Sequence, residues 1–211
     1  MSRRCKTNPT PLPRTPPWAA STYSTSYEVF LASKTGELLA APATDHITLT
    51  GLGINLPSGI VVRGVNANGV GPLTASATAY TLALPPSALT LVGVSSQSVS
   101  LSWNGGGNPA STTFELQKAT DGVSFEPVST TVAAALTATG LSTSTAYDFR
   151  VRAQNGDLVF SAFSDTASTM TLTSLPGIPG TPSPSVLSTG AVTWSWTAPT
   201  LATSYQVFLA S

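Results

Sequence analysis

His46 is the only histidine of the 211 residues, and it directly follows Asp45 in Thr44-Asp45-His46-Ile47. An aspartate beside an imidazole is the beginning of a general-base dyad. Neighbouring residues on a strand point to opposite faces, so on an extended segment the two cannot meet. His46 therefore reads as an exposed strand-edge histidine. A zinc site needs a cluster of His and Cys, and one histidine with the single Cys5 does not supply it. Asp121, Glu126, Asp148 and Asp157 are scattered, and no run resembles a calcium loop. Gly105-Gly106-Gly107 does not open a helix, so it is no phosphate cradle. Trp18, Trp103, Trp194 and Trp196 are of the type that stacks on sugar rings, but their place in alternating segments makes them core residues. Tyr23 is more exposed by pattern and stands alone. No nucleophile, base and orienting group can be assembled from this set. The chain reads as non-catalytic, with no cofactor and no metal.

The totals narrow the classes further. Charged residues make up 9% of the chain, far below the roughly 25% of an average soluble domain. Ser, Thr, Gly, Pro and Ala take their place, which suits strands and short turns better than exposed helices. Net charge is zero, yet Arg3, Arg4, Lys6 and Arg14 crowd the first 14 residues. The remainder holds five cations against nine acids, a net −4. A nucleic-acid binder shows a basic face, and this body has none. No apolar run approaches the ~18 residues of a membrane span. The opening MSRRCKTNPTPLPRTPP has prolines where a secretory signal would have an apolar stretch. Cys5 sits in this segment, which is expected to be a disordered basic tail over 1–17. One cysteine also rules out an internal disulfide.

What must position these residues is a repeat. TSYEVFLAS at 25–33 and TSYQVFLAS at 203–211 differ at one position in nine. VSLSW (99–103) matches VTWSW (192–196), Thr50-Gly51-Leu52 matches Thr139-Gly140-Leu141, and the Val62-Arg63 segment matches Val151-Arg152. Trp18 and Tyr27 match Trp196 and Tyr205 at an offset of 178, twice 89. A period near 90 is too long for a solenoid unit and right for a small β-sandwich. In the middle copy, Val99, Leu101 and Trp103 alternate with serines, and Tyr147, Phe149, Val151 and Ala153 alternate with polar residues. That is the period of a strand with one buried and one wet face. Asn104 to Pro109, Asp121-Gly122 and Asn155-Gly156 break the runs, as turns do.

Pro85-Pro86, a strand ending in Trp103, and Gly140-Leu141 leading to Tyr147-x-Phe149-x-Val151-x-Ala153-x-Asn155 together resemble a fibronectin type III domain. The Ser/Thr-rich style resembles the tandem copies of bacterial secreted and surface proteins. The resemblance implies an all-β fold of tandem immunoglobulin-like sandwiches, with strands A, B and E in one sheet and C′, C, F and G in the other. Trp103 would be the core residue of strand B. Leu141 and Tyr147 would form the tyrosine corner, the phenol bonding a nearby backbone group and pinning strand F. Residues 85–173 would be the complete domain. Residues 18–84 would be a partial repeat, strands C to G, with Ser58 where the corner tyrosine belongs. Residues 174–211 would be a truncated repeat, strands A to C, with Val192, Trp194 and the core residue Trp196 facing inward. Asn155-Gly156-Asp157 falls near the F–G loop, where the family sometimes carries an Arg-Gly-Asp integrin motif; asparagine replaces the arginine, so integrin binding is not implied.

Both end copies are expected to be weakened. A 38-residue piece lies below the ~40 residues at which a lone core becomes hard to sustain. The first copy lacks strand A and most of B, and the five prolines between Pro9 and Pro17 cannot replace them. Either the chain is a fragment of a longer array, or the A and B strands of one molecule complete the first copy of another, building head-to-tail fibres. The expected function is a structural or interaction module, an extracellular spacer or adhesive stalk, secreted or at the cell surface in its parent protein. Its partners would be neighbouring repeats, with a protein or glycan ligand unspecified. The alternative is a set of linker modules in a secreted polysaccharide-degrading enzyme. A carbohydrate-binding module would need an exposed aromatic row, which the pattern does not show.

Overall fold

The computed structural model describes residues 23–208. The expected tail 1–17, with Cys5 and the basic cluster, and Trp18 lie outside them. Among the described residues the protein is all-β, and no helix is long and apolar enough to cross a membrane. The described residues divide into two compact units, one running up to Leu84 and including Gln154–Ser161, the other made of Pro85–Ala153 and the residues from Ala162 on.

The first unit carries β1 (Ser26–Leu31), β2 (Lys34–Ala40), β3 (Pro57–Asn66), β4 (Gly69–Val70) and β5 (Ala77–Tyr80) in one antiparallel sheet, ordered β2-β1-β3-β4 with β5 also on β3. β1 and β3 pair without a slip from Ser26 opposite Val65 to Leu31 opposite Ile60. One face gathers Tyr27, Val29 and Val62 with Ile47 and Ile60. On the other, Phe30 lies opposite Val61 and Glu28 opposite Arg63. The Arg63 guanidinium bonds the Glu28 carboxylate at 2.6 Å and lies over the Phe30 ring at 5.2 Å from its centre. A stem and charge laid over an aromatic ring in this way shield it from water on a face that would otherwise be wet.

The second unit holds β6 (Ser87–Val94), β7 (Ser98–Asn104), β8 (Thr113–Ala119), β9 (Glu126–Thr131), β10 (Ala135–Thr139), nearly all of β11 (Ala146–Gln154), the second half of β12 (Phe160–Phe163) and β13 (Ala167–Met170). One sheet is ordered β10-β7-β6 and the other β12-β11-β8-β9, with β13 also on β11. Strict alternation puts Val99, Leu101 and Trp103 of β7 and Tyr147, Phe149, Val151 and Ala153 of β11 inside. Phe114 and Leu116 of β8 join them, Phe114 meeting Trp103 edge to face at 5.8 Å. Each such side chain taken out of water contributes about 1.5–3 kcal/mol before entropy is counted. β6 departs from regular pairing. Its register slips twice against β7, and Ala88 takes a positive φ of 51°. Such irregularity twists a strand and discourages pairing with another chain.

Beyond this, β14 (Ser183–Ser188) and β15 (Ala191–Ser195) pair only with each other, and every residue of both is exposed. Val192 and Trp194, expected to face inward, are exposed, and among the described residues the hairpin pairs with no other strand. Residues 196–208, expected to hold a strand C, contain none. Trp196 is half-buried, with its ring edge-on to Tyr205 at 5.5 Å.

Candidate functional site

A cluster of charged and aromatic side chains lies on the outer face of the β8–β11 sheet. Glu115 and Gln117 on β8, and Arg150 and Arg152 on β11, occupy the positions that alternation turns away from the core. The Arg150 guanidinium carbon is 3.9 Å from the centre of the Phe125 ring and 3.8 Å from that of Phe163. Arg152 also lies over Phe163, its guanidinium carbon 4.8 Å from the ring centre. Two cations and two rings thus form one stack. Arg152 donates through Nη2 and Nε to Glu115 Oε1 at 2.9 and 3.2 Å. Arg150 donates through Nη2 and Nε to Gln117 Oε1 at 2.8 and 3.0 Å, and the Gln117 amide donates to Glu115. Glu115 and Gln117 are buried although they point outward. Burial, and then the neighbouring charge of Arg152, lower the Arg150 pKa; the Glu115 carboxylate opposes them. An arginine starts so high that it stays cationic in any working range.

This arrangement has no nucleophile, and its polar atoms bond mainly to one another. Chemically it is a clamp: it ties β8 to β11 and keeps water from the second face of the sheet. Sequence reasoning passed over it. The signal was there in Glu115-x-Gln117 and Arg150-x-Arg152, outward pairs of complementary character on two strands. Phe125 and Phe163, which complete the stack, are distant in sequence from both.

Tyr147, Leu141, Trp103 and Trp196 are the residues singled out above as core. Tyr147 is buried, and its Oη accepts a hydrogen bond from the Ser142 N–H at 3.0 Å. Leu141 is buried one residue earlier, after Gly140 with its left-handed φ of 68°, and its N–H donates to Gln97 O at 3.0 Å. Trp103 is buried between the sheets, while Trp196 is only half-covered. Ser58, expected where a corner tyrosine would stand, lies on β3 opposite Ala79 of β5.

His46 and Asp45 depart from the strand argument. Their side chains meet, Nδ1 to Oδ1, at 3.3 Å. The segment bends at 43–45 and joins no ladder, so alternation does not separate them. Both are exposed to water, and the contact is an ordinary surface pair. Among the described residues no group of three or more His, Cys, Asp or Glu is placed to hold a metal.

The first unit has an open cleft of about 460 Å³ between Tyr23, Tyr27, Arg63, Asn66, Asn68 and Thr74. Most of its polar lining is committed. Arg63 is held by Glu28, Asn66 donates its amide to the Tyr23 carbonyl at 3.1 Å, and Thr74 Oγ1 accepts from the Val62 N–H at 3.1 Å. Tyr23 is an exposed ring at its rim, whereas Tyr27, the other aromatic of the lining, is buried. A single platform and few unspent donors give little for a saccharide to recognise.

Residues 84–169 match the family model described as "Fibronectin type III domain". No curated protein matches the chain. Among solved structures, the fibronectin type III domain of a human fibronectin type III domain-containing protein is 26% identical, with 44% of this chain and 88% of that one covered and a TM-score of 0.39. A run of titin domains is 20% identical over 70% of this chain, with a TM-score of 0.43. The FN1–FN3 domains of chicken CNTN1 are 17% identical over 71%, with a TM-score of 0.41. The chain spans 55% of the length of each of these two.

Proposed function

We propose, from the match of residues 84–169 to the fibronectin type III family model, that the chain is a non-catalytic structural and interaction module, a spacer or adhesive stalk of a secreted or cell-surface parent protein. In this reading 85–173 is the complete domain, 18–84 and 174–211 are partial copies on either side, and 1–17 is a tail. Trp103, Leu141 and Tyr147 hold the complete domain together, and Trp196 takes the place of Trp103 in the last copy. Its partners are neighbouring copies of the same unit. The observation that supports this is the closure of the middle domain on both sides of one sheet: a dry core within, and the Arg150–Phe163 stack without. A module sealed in this way resists load and offers no reactive group. Pro85-Pro86, Pro176 and Pro179 stiffen the joins. The same build would serve as a linker beside a polysaccharide-degrading domain, and a catalytic reading frame next to this one would favour that role.

Pulling the full chain by its ends in a force spectrometer tests the spacer. One sharp unfolding event should release about 30 nm, the extended length of residues 85–173. Smooth extension without that event would remove the proposal.

A further inference from the structure

The sequence contains three Asn-Gly pairs, Asn68-Gly69, Asn104-Gly105 and Asn155-Gly156. This dipeptide is chemically labile, because a glycine without a Cβ leaves its amide nitrogen open to approach the preceding side chain. The deprotonated glycine nitrogen attacks the asparagine Cγ. A new bond from that nitrogen to Cγ closes a five-membered succinimide, the Cγ–Nδ2 bond breaks, and ammonia leaves, taking protons from solvent. Water then adds to one of the two ring carbonyls and opens the ring to aspartate or isoaspartate. The sum is asparagine plus water giving the acid plus ammonia, and nothing is oxidised or reduced.

The structure treats the three pairs differently. Asn155 is buried and held at several points. Its Oδ1 accepts from the Asp157 and Val159 N–H groups at 3.1 and 2.8 Å, and its Nδ2 donates to Thr81 O at 3.2 Å. The attacking nitrogen is engaged too, since the Gly156 N–H donates to Asn55 Oδ1 at 3.2 Å. Asn104 is exposed, but its Oδ1 accepts from the Gly106 N–H at 2.9 Å, and a Cβ on Gly105 would stand 3.3 Å from Phe114 Cζ. Asn68 is exposed at the two-residue loop between Asn66 and Gly69. Its side chain makes no hydrogen bond among the described residues, and the space about Gly69 is open within 4 Å.

We propose that Asn68 is a site of spontaneous deamidation in the folded protein, and that the fold shields Asn155 from the same reaction. The product places a carboxylate at the lip of the first unit's cleft. Where it is isoaspartate, it also adds a methylene to the backbone of the two-residue turn between β3 and β4. The charge of the chain goes from zero to −1.

The test is to age the full chain at mildly alkaline pH and body temperature, then digest it and map the amide-to-acid mass change. In the folded protein Asn68 should convert about tenfold faster than Asn155 or more, because Asn155 must first wait for local opening. In urea the two rates should converge. Equal conversion of Asn68 and Asn155 in the folded protein would overturn the proposal, as would Asn104 converting ahead of Asn68. Asn68→Gln, a surface change that leaves the fold alone, should remove the first acidic isoform seen on ion exchange. An isoform that persists in that variant would also overturn it.

Discussion

Residues 25–33 and 203–211 share eight of nine side chains, and the described part of each has an opposite fate. In the first, Tyr27, Val29 and Phe30 lie in β1 and are 7%, 0% and 5% exposed. In the second, Tyr205, Val207 and Phe208 lie in no strand and are 42%, 74% and 81% exposed. Intrinsic preference is the same in both, so it does not decide the outcome. β1 has β2 on one side and β3 on the other to take its backbone hydrogen bonds. Residues 203–208 have no such neighbour among the described residues. A strand is a property of a pair, and β-propensity reports only how well a side chain fits a surface that the pair has made.

The largest expected effect breaks the symmetry of these copies. Phe30→Ala removes a buried ring from under Arg63 and should cost the first unit about 3–5 kcal/mol. Phe208→Ala removes the same ring from the same local sequence and should stay within about 0.5 kcal/mol. Urea unfolding, with amide exchange of the β1–β3 ladder to localise the loss, measures both. Equal costs would mean that 203–208 is packed in solution.

The one position that differs sharpens the contrast. Position 28 is glutamate and its counterpart is Gln206. Glu28 stands where Arg63 comes across the ladder, and the pair is about three-quarters shielded from solvent on the glutamate side. Glu28→Gln should cost about 1 kcal/mol, at the upper end for a surface pair because the geometry is close and two nitrogens donate. High salt should shrink that cost. Gln206→Glu should change stability by nothing measurable. A free Glu28→Gln change would show that Arg63 is held by Phe30 alone.

The same distinction explains what could be read from the residues beforehand. The alternation in 99–103 and in 147–153 told which side chains share a face, and the Leu141-to-Tyr147 spacing pointed to the corner where the Ser142 N–H meets the phenol. Those are local signals. VTWSW at 192–196 carries the same alternation as VSLSW, yet Trp194 is 56% exposed where Leu101 is 1%. The pattern names the face that can be buried, and an opposing sheet must exist to bury it. β7 has β8 and β11 for that purpose, and β15 has only β14. The outer clamp was illegible for a related reason. Glu115, Gln117, Arg150 and Arg152 read as a wet face, because the rings that cover them come from 125 and 163. Asp45 and His46 meet because their segment bends, and a bend outside any ladder leaves no periodicity to read.

The smallest effect compares two turns, one closed by an acid and one by an alcohol. Between β8 and β9, Asp121 Oδ1 accepts from the Ser124 and Val123 N–H groups at 2.7 and 2.9 Å. The Ser124 hydroxyl is the largest contributor, and with these two amides it lowers the Asp121 pKa from 3.8 to about 2. Each of these bonds favours the charged carboxylate. The folded form therefore holds its proton less tightly than the unfolded chain. What Asp121 contributes to the turn is fully present above pH 3.8, and it is lost as the pH falls toward about 2. Between β14 and β15 the Gly190 N–H donates instead to the Ser188 hydroxyl at 3.3 Å, a group that does not titrate there. Following amide shifts from pH 5 downward, Val123 and Ser124 should move with a midpoint near 2, while Gly190 stays still. A midpoint at 3.8 would mean that the Asp121 turn is open in solution. The better-packed domain would then have the looser turn of the two, and the order imposed by sheet-on-sheet packing would stop short of its loops.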